Sequence, residues 1–160
     1  MIGQLLAGLL AVLALAAAPP LGTGTKTVTC DSGGAFIGSA TPGWRSEAAH
    51  AGPFGLGGSG RDFGRGALSS DGLYRTKMPA LVEGHRAVVL EVPAGERRRA
   101  GIQLVGSSEL GFARARFVPC RDKPRTIWPA GLVLRGRAPV TLLVRVGGEP
   151  SRKLRVGYTI

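Results

Sequence analysis

Apolar and polar residues alternate most regularly in the last third of the chain. Val140, Leu142, Val144 and Val146 interleave with Thr141, Leu143 and Arg145. After Gly147-Gly148-Glu149-Pro150-Ser151, the residues Leu154, Val156, Tyr158 and Ile160 interleave with Lys153, Arg155, Gly157 and Thr159. A period of two puts successive side chains on opposite faces of a strand. Two such runs across a glycine-containing loop predict a β-hairpin. The same period marks Arg86, Val88, Leu90 and Val92 as one face of a strand, with His85, Ala87, Val89 and Glu91 on the other. Pro93-Ala94-Gly95-Glu96 predicts a turn, followed by Arg97-Arg98-Arg99. Gly101 to Val105 predicts a strand with Ile102 and Leu104 inward. Phe112 to Val118 predicts another, with Ala113, Ala115 and Phe117 on the core side. Cys120 then falls on the side of Arg114 and Arg116, so we expect a bulge at Pro119 to return it to the core.

The first half is patterned differently. Thr25 to Cys30 alternates and is rich in β-branched residues, which predicts a first strand. Residues 31–72 are dense in Gly, Ser and Ala, with scattered apolar anchors at Phe36, Ile37, Trp44, Phe54, Leu56 and Phe63. Loops and short irregular strands are expected there. Ser46 to His50 is compatible with one helical turn, and Gly55 to Gly66 with a long mobile loop. Leu132-Val133-Leu134 is short and apolar. Together these runs predict an all-β domain: a single antiparallel β-sandwich of about seven or eight short strands.

The chain begins with an apolar run, Leu5 to Leu15, followed by Ala16-Ala17-Ala18 and Pro19-Pro20. This predicts a secretory signal over residues 1–18, a linker over 19–24 and the β-sandwich over 25–160. Ala14-Leu15-Ala16 offers a small-residue processing site. The alternative is a retained N-terminal anchor, although Leu5 to Ala18 is shorter than the roughly 20 residues that span a bilayer as a helix. Export changes the meaning of the two cysteines. In an oxidising compartment Cys30 and Cys120 predict one disulfide rather than catalytic thiols. We therefore expect a secreted or extracytoplasmic protein, or one held at the membrane by its N-terminal segment.

The net charge is +11, and residues 91–160 carry most of it: 14 basic against 5 acidic side chains, compared with 7 and 5 in residues 1–90. A basic half suggests an anionic partner. Arginine outnumbers lysine 17 to 4 in a chain rich in Gly, Ala and Pro. All four have GC-rich codons, so genome composition offers a competing explanation. In the predicted hairpin Arg145, Lys153 and Arg155 point away from the apolar face. With Arg135 and Arg137 they form the candidate anion-binding set, able to hold phosphates or carboxylates through charge-assisted hydrogen bonds. The competing reading is an ordinary solvated face with edge-protecting charges.

Catalytic patterns are weak. Gly55-Leu56-Gly57-Gly58-Ser59-Gly60 matches G-x-G-x-x-G, yet Arg61-Asp62-Phe63-Gly64-Arg65-Gly66 cannot open the helix that a dinucleotide site needs. His50 and His85 lie in no metal-ligand spacing. No nucleophile frame surrounds a serine. Asp62, Asp71, Glu83, Glu91 and Glu109 would serve a glycosidase only if two of them met in space. Trp44 and Trp128 sit beside Gly or Pro and read as core or turn anchors, the alternative being a sugar-stacking platform. We expect no cofactor, no metal and no catalytic residue.

Several short segments carry a resemblance. They are Cys30 with Gly33-Gly34-Ala35-Phe36, Gly43-Trp44-Arg45, Ala51-Gly52-Pro53-Phe54-Gly55-Leu56, Lys77-Met78-Pro79-Ala80-Leu81-Val82, Val88 to Pro93, Arg116-Phe117-Val118-Pro119-Cys120, and Trp128-Pro129-Ala130-Gly131. Their order resembles small exported β-sandwich proteins of actinobacterial (high-GC Gram-positive) type. Such proteins often carry further cysteines toward the C-terminus; here none follows Cys120. The resemblance implies export and a β fold, and supplies no activity. The expected function is thus a non-enzymatic interaction or structural module of the cell envelope. Its expected partner is an anionic envelope component or another envelope protein rather than nucleic acid. The alternatives are a binder of anionic polymer or lipid through the basic C-terminal face, and an envelope glycan or ester hydrolase.

Overall fold

Strands with one apolar face must cover that face, and in this chain three sheets do so around a shared core. The computed structural model describes residues 18–32, 49–57, 67–104 and 110–157. Among these lie β1 (Thr25–Val28), β2 (Ala49–Ala51), β3 (Phe54–Leu56), β4 (Ala67–Leu68), β5 (Tyr74–Arg75), β6 (Ala80–Glu83), β7 (Val88–Glu91), β8 (Ala100–Leu104), β9 (Arg114–Phe117), β10 (Arg125–Trp128), β11 (Ala130–Leu134), β12 (Val140–Val146) and β13 (Arg152–Val156), with one 3₁₀ turn at Ala94–Glu96. Among the described residues no helix is long and apolar enough to cross a membrane.

The all-β expectation is met, but the strands outnumber the seven or eight expected. The extra ones are short or buried on both sides. All three residues of β3 are buried, as are Ala80 to Val82 of β6 and Thr126 to Trp128 of β10. A strand covered on both faces shows no alternation for a period-two search to find. Two local expectations also give way. Ala49 and His50 belong to β2 rather than to a helical turn, because they pair with Leu56 and Gly55. Gly55 and Leu56 are buried strand residues, not the start of a mobile loop. The remainder of that stretch, residues 58–66, lies outside the described residues, as do Trp44, Ser46, Asp62, Glu109, Tyr158 and the apolar run before residue 18.

The sheets run β1-β9-β7-β12-β13, β10-β6-β3-β2 and β4-β5-β11-β8. Pairing is antiparallel except between β1 and β9, which run parallel with Val28 opposite Phe117. The purely antiparallel expectation is corrected there, and the disulfide shows the consequence. Parallel strands end on the same side, so the residues just past Val28 and Phe117 emerge together. Cys30 and Cys120 are joined, with Cα atoms 4.8 Å apart across a sequence separation of 90. The expected bulge at Pro119 is not what brings Cys120 inside. The ladder stops at Phe117, the N–H of Val118 bonds to the Val28 carbonyl, and the chain turns inward. Cys120 is 2% exposed, and its N–H donates to Oγ1 of the buried Thr126 at 2.9 Å.

One apolar cluster draws on all three sheets. Phe117 of β9 meets Phe54 of β3 at 5.4 Å and Trp128 of β10 at 5.3 Å between ring centroids. Such tilted aromatic pairs add to burial because ring edges meet ring faces. Leu132 and Leu134 of β11 and Ile102 of β8 complete the cluster from the third sheet. Trp128 is the core anchor expected, and its indole N–H donates to the Thr29 carbonyl at 3.0 Å. Gly131 has a steric role: a Cβ there would collide with the Thr76 carbonyl oxygen. That close approach lets Thr76 Oγ1 accept from the Leu132 N–H at 2.9 Å.

Candidate anion-binding face

Strand order decides which basic residues meet. In the five-stranded sheet Leu90, Ala115, Leu142 and Leu154 face the core, so the intervening residues face outward. Register then sets the outward rows. Thr27, Arg116, Val89 and Arg145 lie side by side across β1, β9, β7 and β12. Thr25, Arg114, Glu91, Leu143 and Lys153 form the next row, which reaches β13. Arg155 stands opposite Thr141 in the row beyond. Neighbouring strands are about 4.8 Å apart and alternate residues about 6.7 Å apart along a strand. Arg116 and Arg145 are thus about 10 Å apart at their backbones, two strand spacings, and Lys153 and Arg155 about 7 Å apart along one strand.

The electrostatics of this face are one-sided. Arg114, Arg116, Arg145, Lys153 and Arg155 are all exposed. Glu91 is the one carboxylate in the paired rows, and it is already engaged, with Arg114 at 2.9 Å and Arg97 at 3.6 Å. Among the described residues no carboxylate pairs with Arg116, Arg145, Lys153 or Arg155. Arg145 Nε donates to Ser151 Oγ at 3.2 Å, a neutral partner that leaves its charge in place. Thr25, Thr27, Thr141 and Ser151 set hydroxyls among the cations. The arrangement is a set of exposed cations about 7–10 Å apart along and across the strands, with hydroxyls between them.

The five residues expected to bind anions divide into two groups. Arg145, Lys153 and Arg155 share this face. Arg135 and Arg137 sit in the connection between β11 and β12. Arg135 donates through Nη1 to the carbonyls of Pro19 at 3.2 Å and Arg98 at 2.6 Å. Arg137 lies over the Tyr74 ring, its guanidinium carbon 5.2 Å from the centroid. Sequence reasoning missed Arg114 and Arg116 as members of the face. Their alternation with Ala115 and Phe117 was visible, but the placing of β9 beside β7 was not.

Other candidate groups are committed locally. Asp71 pairs with Arg75 at 2.8 Å, Glu83 with Arg125 at 3.3 Å, and Glu149 with Arg86 and Arg152. The hydrogen bond from Arg75, with a second from the Leu73 N–H, pulls the Asp71 carboxyl down to about 2. Arg86 holds the Glu149 carboxyl below its ordinary value in the same way. Nδ1 of His85 lies 3.3 Å from the Cys120 carbonyl oxygen, and His50 stands opposite Gly55 in β2. Among the described residues no three His, Cys, Asp or Glu side chains gather as a metal ion requires. No family model, curated protein or solved structure matches this chain.

Proposed function

We propose that this chain is an exported cell-envelope protein, similar in kind to small secreted actinobacterial β-proteins, that works without catalysis as a binding module for an anionic envelope polymer. In this reading the five-stranded sheet is one layer of a sandwich and the two four-stranded sheets form the other. The outer face of the five-stranded layer is the binding surface, and residues 1–18 direct export. Export is supported by the Cys30–Cys120 disulfide, which persists in oxidising compartments. The observation that carries the binding reading is the row structure itself: Arg116, Arg145, Lys153 and Arg155 on one exposed face, where among the described residues the one carboxylate in the paired rows, Glu91, is engaged by Arg114 and Arg97. Cations spread in rows over an exposed sheet face make their contacts along a long ligand, whereas small molecules are taken by concave sites.

Two polyanions test this, polyphosphate for a phosphate backbone and polygalacturonate for a carboxylate one. Binding is expected at low ionic strength and should weaken steeply as the screening length falls from about 30 Å at 0.01 M salt to about 3 Å at 1 M. Charge reversal in R145E/R155E should abolish it for either polymer. Affinity that does not change with salt, or that survives the charge reversal, contradicts the reading.

A further inference from the structure

A second basic surface lies where the N-terminal apolar segment joins the folded body. The chain is fastened at Leu21, which is 1% exposed and packs with Leu73 and Val133. Its N–H donates to the Arg97 carbonyl at 2.8 Å. A Cβ at Gly22 would come within 2.5 Å of the Phe112 carbonyl oxygen, so this stretch lies tight against the body. Residues 19–24, expected as a linker, therefore fix where the preceding apolar run departs. Pro19 and Pro20 are exposed, and Arg135 Nη1 holds the carbonyls of Pro19 and Arg98 at once. The departure point and the Arg97-Arg98-Arg99 turn are hydrogen-bond neighbours through a single nitrogen.

The charge at this corner is unbalanced. Arg97 pairs with Glu91 and Arg99 with Glu96. Arg98, Arg135 and Arg137 pair with no carboxylate among the described residues. Arg98 and Arg137 are exposed, and Arg137 is kept at the corner by Tyr74. Arg99 ties the two loops together by donating to the carbonyls of Ala138 and Pro139, each at 3.1 Å.

We propose that this corner is a membrane-facing surface that binds anionic phospholipid headgroups while the apolar run Leu5–Ala18 is attached. Two prolines in an extended conformation span about 6 Å. That leaves the corner within about one screening length, roughly 8 Å at physiological salt, of whatever the apolar run enters. An apolar segment at the membrane and a basic patch beside it act together, the patch adding electrostatic attraction to anionic headgroups that the apolar segment does not supply. The proposal is independent of polymer binding on the sheet face, which uses other residues.

Flotation of the full chain with vesicles tests it. Vesicles of phosphatidylcholine alone are compared with vesicles that also contain phosphatidylglycerol. The wild-type chain should bind the anionic vesicles more tightly. R98E/R137E should lose that excess, by about tenfold or more, while its binding to neutral vesicles stays as it was. R98Q/R137Q, which removes charge without adding any, should fall between. R145E/R155E, on the sheet face, changes the net charge by the same amount and should lose less of the excess than R98E/R137E. The proposal is overturned if R98E/R137E keeps the preference, if R145E/R155E loses it equally, or if the wild-type chain does not distinguish the vesicles. A failed polymer assay leaves these outcomes readable, because it reports on the other surface.

Discussion

The two faces of the five-stranded sheet are made of alternate residues from the same strands, yet they obey different constraints. On the inner face Val88, Leu90, Ala115, Phe117, Leu142 and Val144 have no exposed surface. Every atom there has close-packed neighbours, so shape is specified residue by residue. On the outer face Arg116, Arg145, Lys153 and Arg155 project into solvent, and nothing in the packing requires an arginine or a lysine. The inner face answers to folding alone. The outer face is where the chain is able to carry function at little cost in stability. Arginines elsewhere sharpen the contrast. Arg135 and Arg99 spend their donors on the chain's own carbonyls, Arg86 and Arg75 on its own carboxylates.

Phe117→Ala should break the inner face most severely. Removing the ring that meets both Phe54 and Trp128 should cost about 3–5 kcal/mol in chemical denaturation. Its sequence neighbour gives the opposite expectation: Arg116→Ala should stay within about 0.5 kcal/mol of wild type. Equal losses from the two would mean the faces are not as different as described. Next in size is the cross-link. Cys30→Ser with Cys120→Ser opens a loop of 90 residues and should lower stability by about 2–4 kcal/mol. Reduction of the wild-type protein under denaturant should give a loss of the same size.

A smaller effect separates the two kinds of arginine. Arg135→Ala leaves two carbonyls without their donor and should cost about 1 kcal/mol, against nearly nothing for Arg145→Ala. Polyanion binding should rank them the other way round. The smallest effect is electrostatic. Asp71 titrates at about 2 in the folded chain, below its ordinary value of 3.8. Its contribution to stability is therefore full above about pH 4 and is lost as pH falls toward 2. Carboxyl carbon NMR should show a midpoint near the lower value, and Arg75→Ala should move it back up.

Much of this fold is legible in the sequence wherever a strand has one wet face. β7, β9, β12 and β13 alternate, and their inward sets Val88/Leu90, Ala115/Phe117, Val140/Leu142/Val144/Val146 and Leu154/Val156 are all buried. The pairing of Cys30 with Cys120 was legible because two cysteines allow one bridge. β3, β6 and β10 were not, since their residues are covered from both sides and carry no period. Strand order was the larger loss. Nothing local tells Arg116 that it will lie one strand from Val89 and two from Arg145, so the face was glimpsed only through its hairpin. Arg135 and Arg137 share the composition of that face, but their surroundings, a pair of carbonyls and a tyrosine ring, come from residues far away in sequence.

The most direct measurement is amide NMR of the isotope-labelled chain during titration with polyphosphate at low salt. The account predicts shifts that grow together along Arg116, Val89, Arg145, Lys153 and Arg155, and that vanish when salt is raised. Shifts confined to the four-stranded sheets, or none at any polymer concentration, would contradict it.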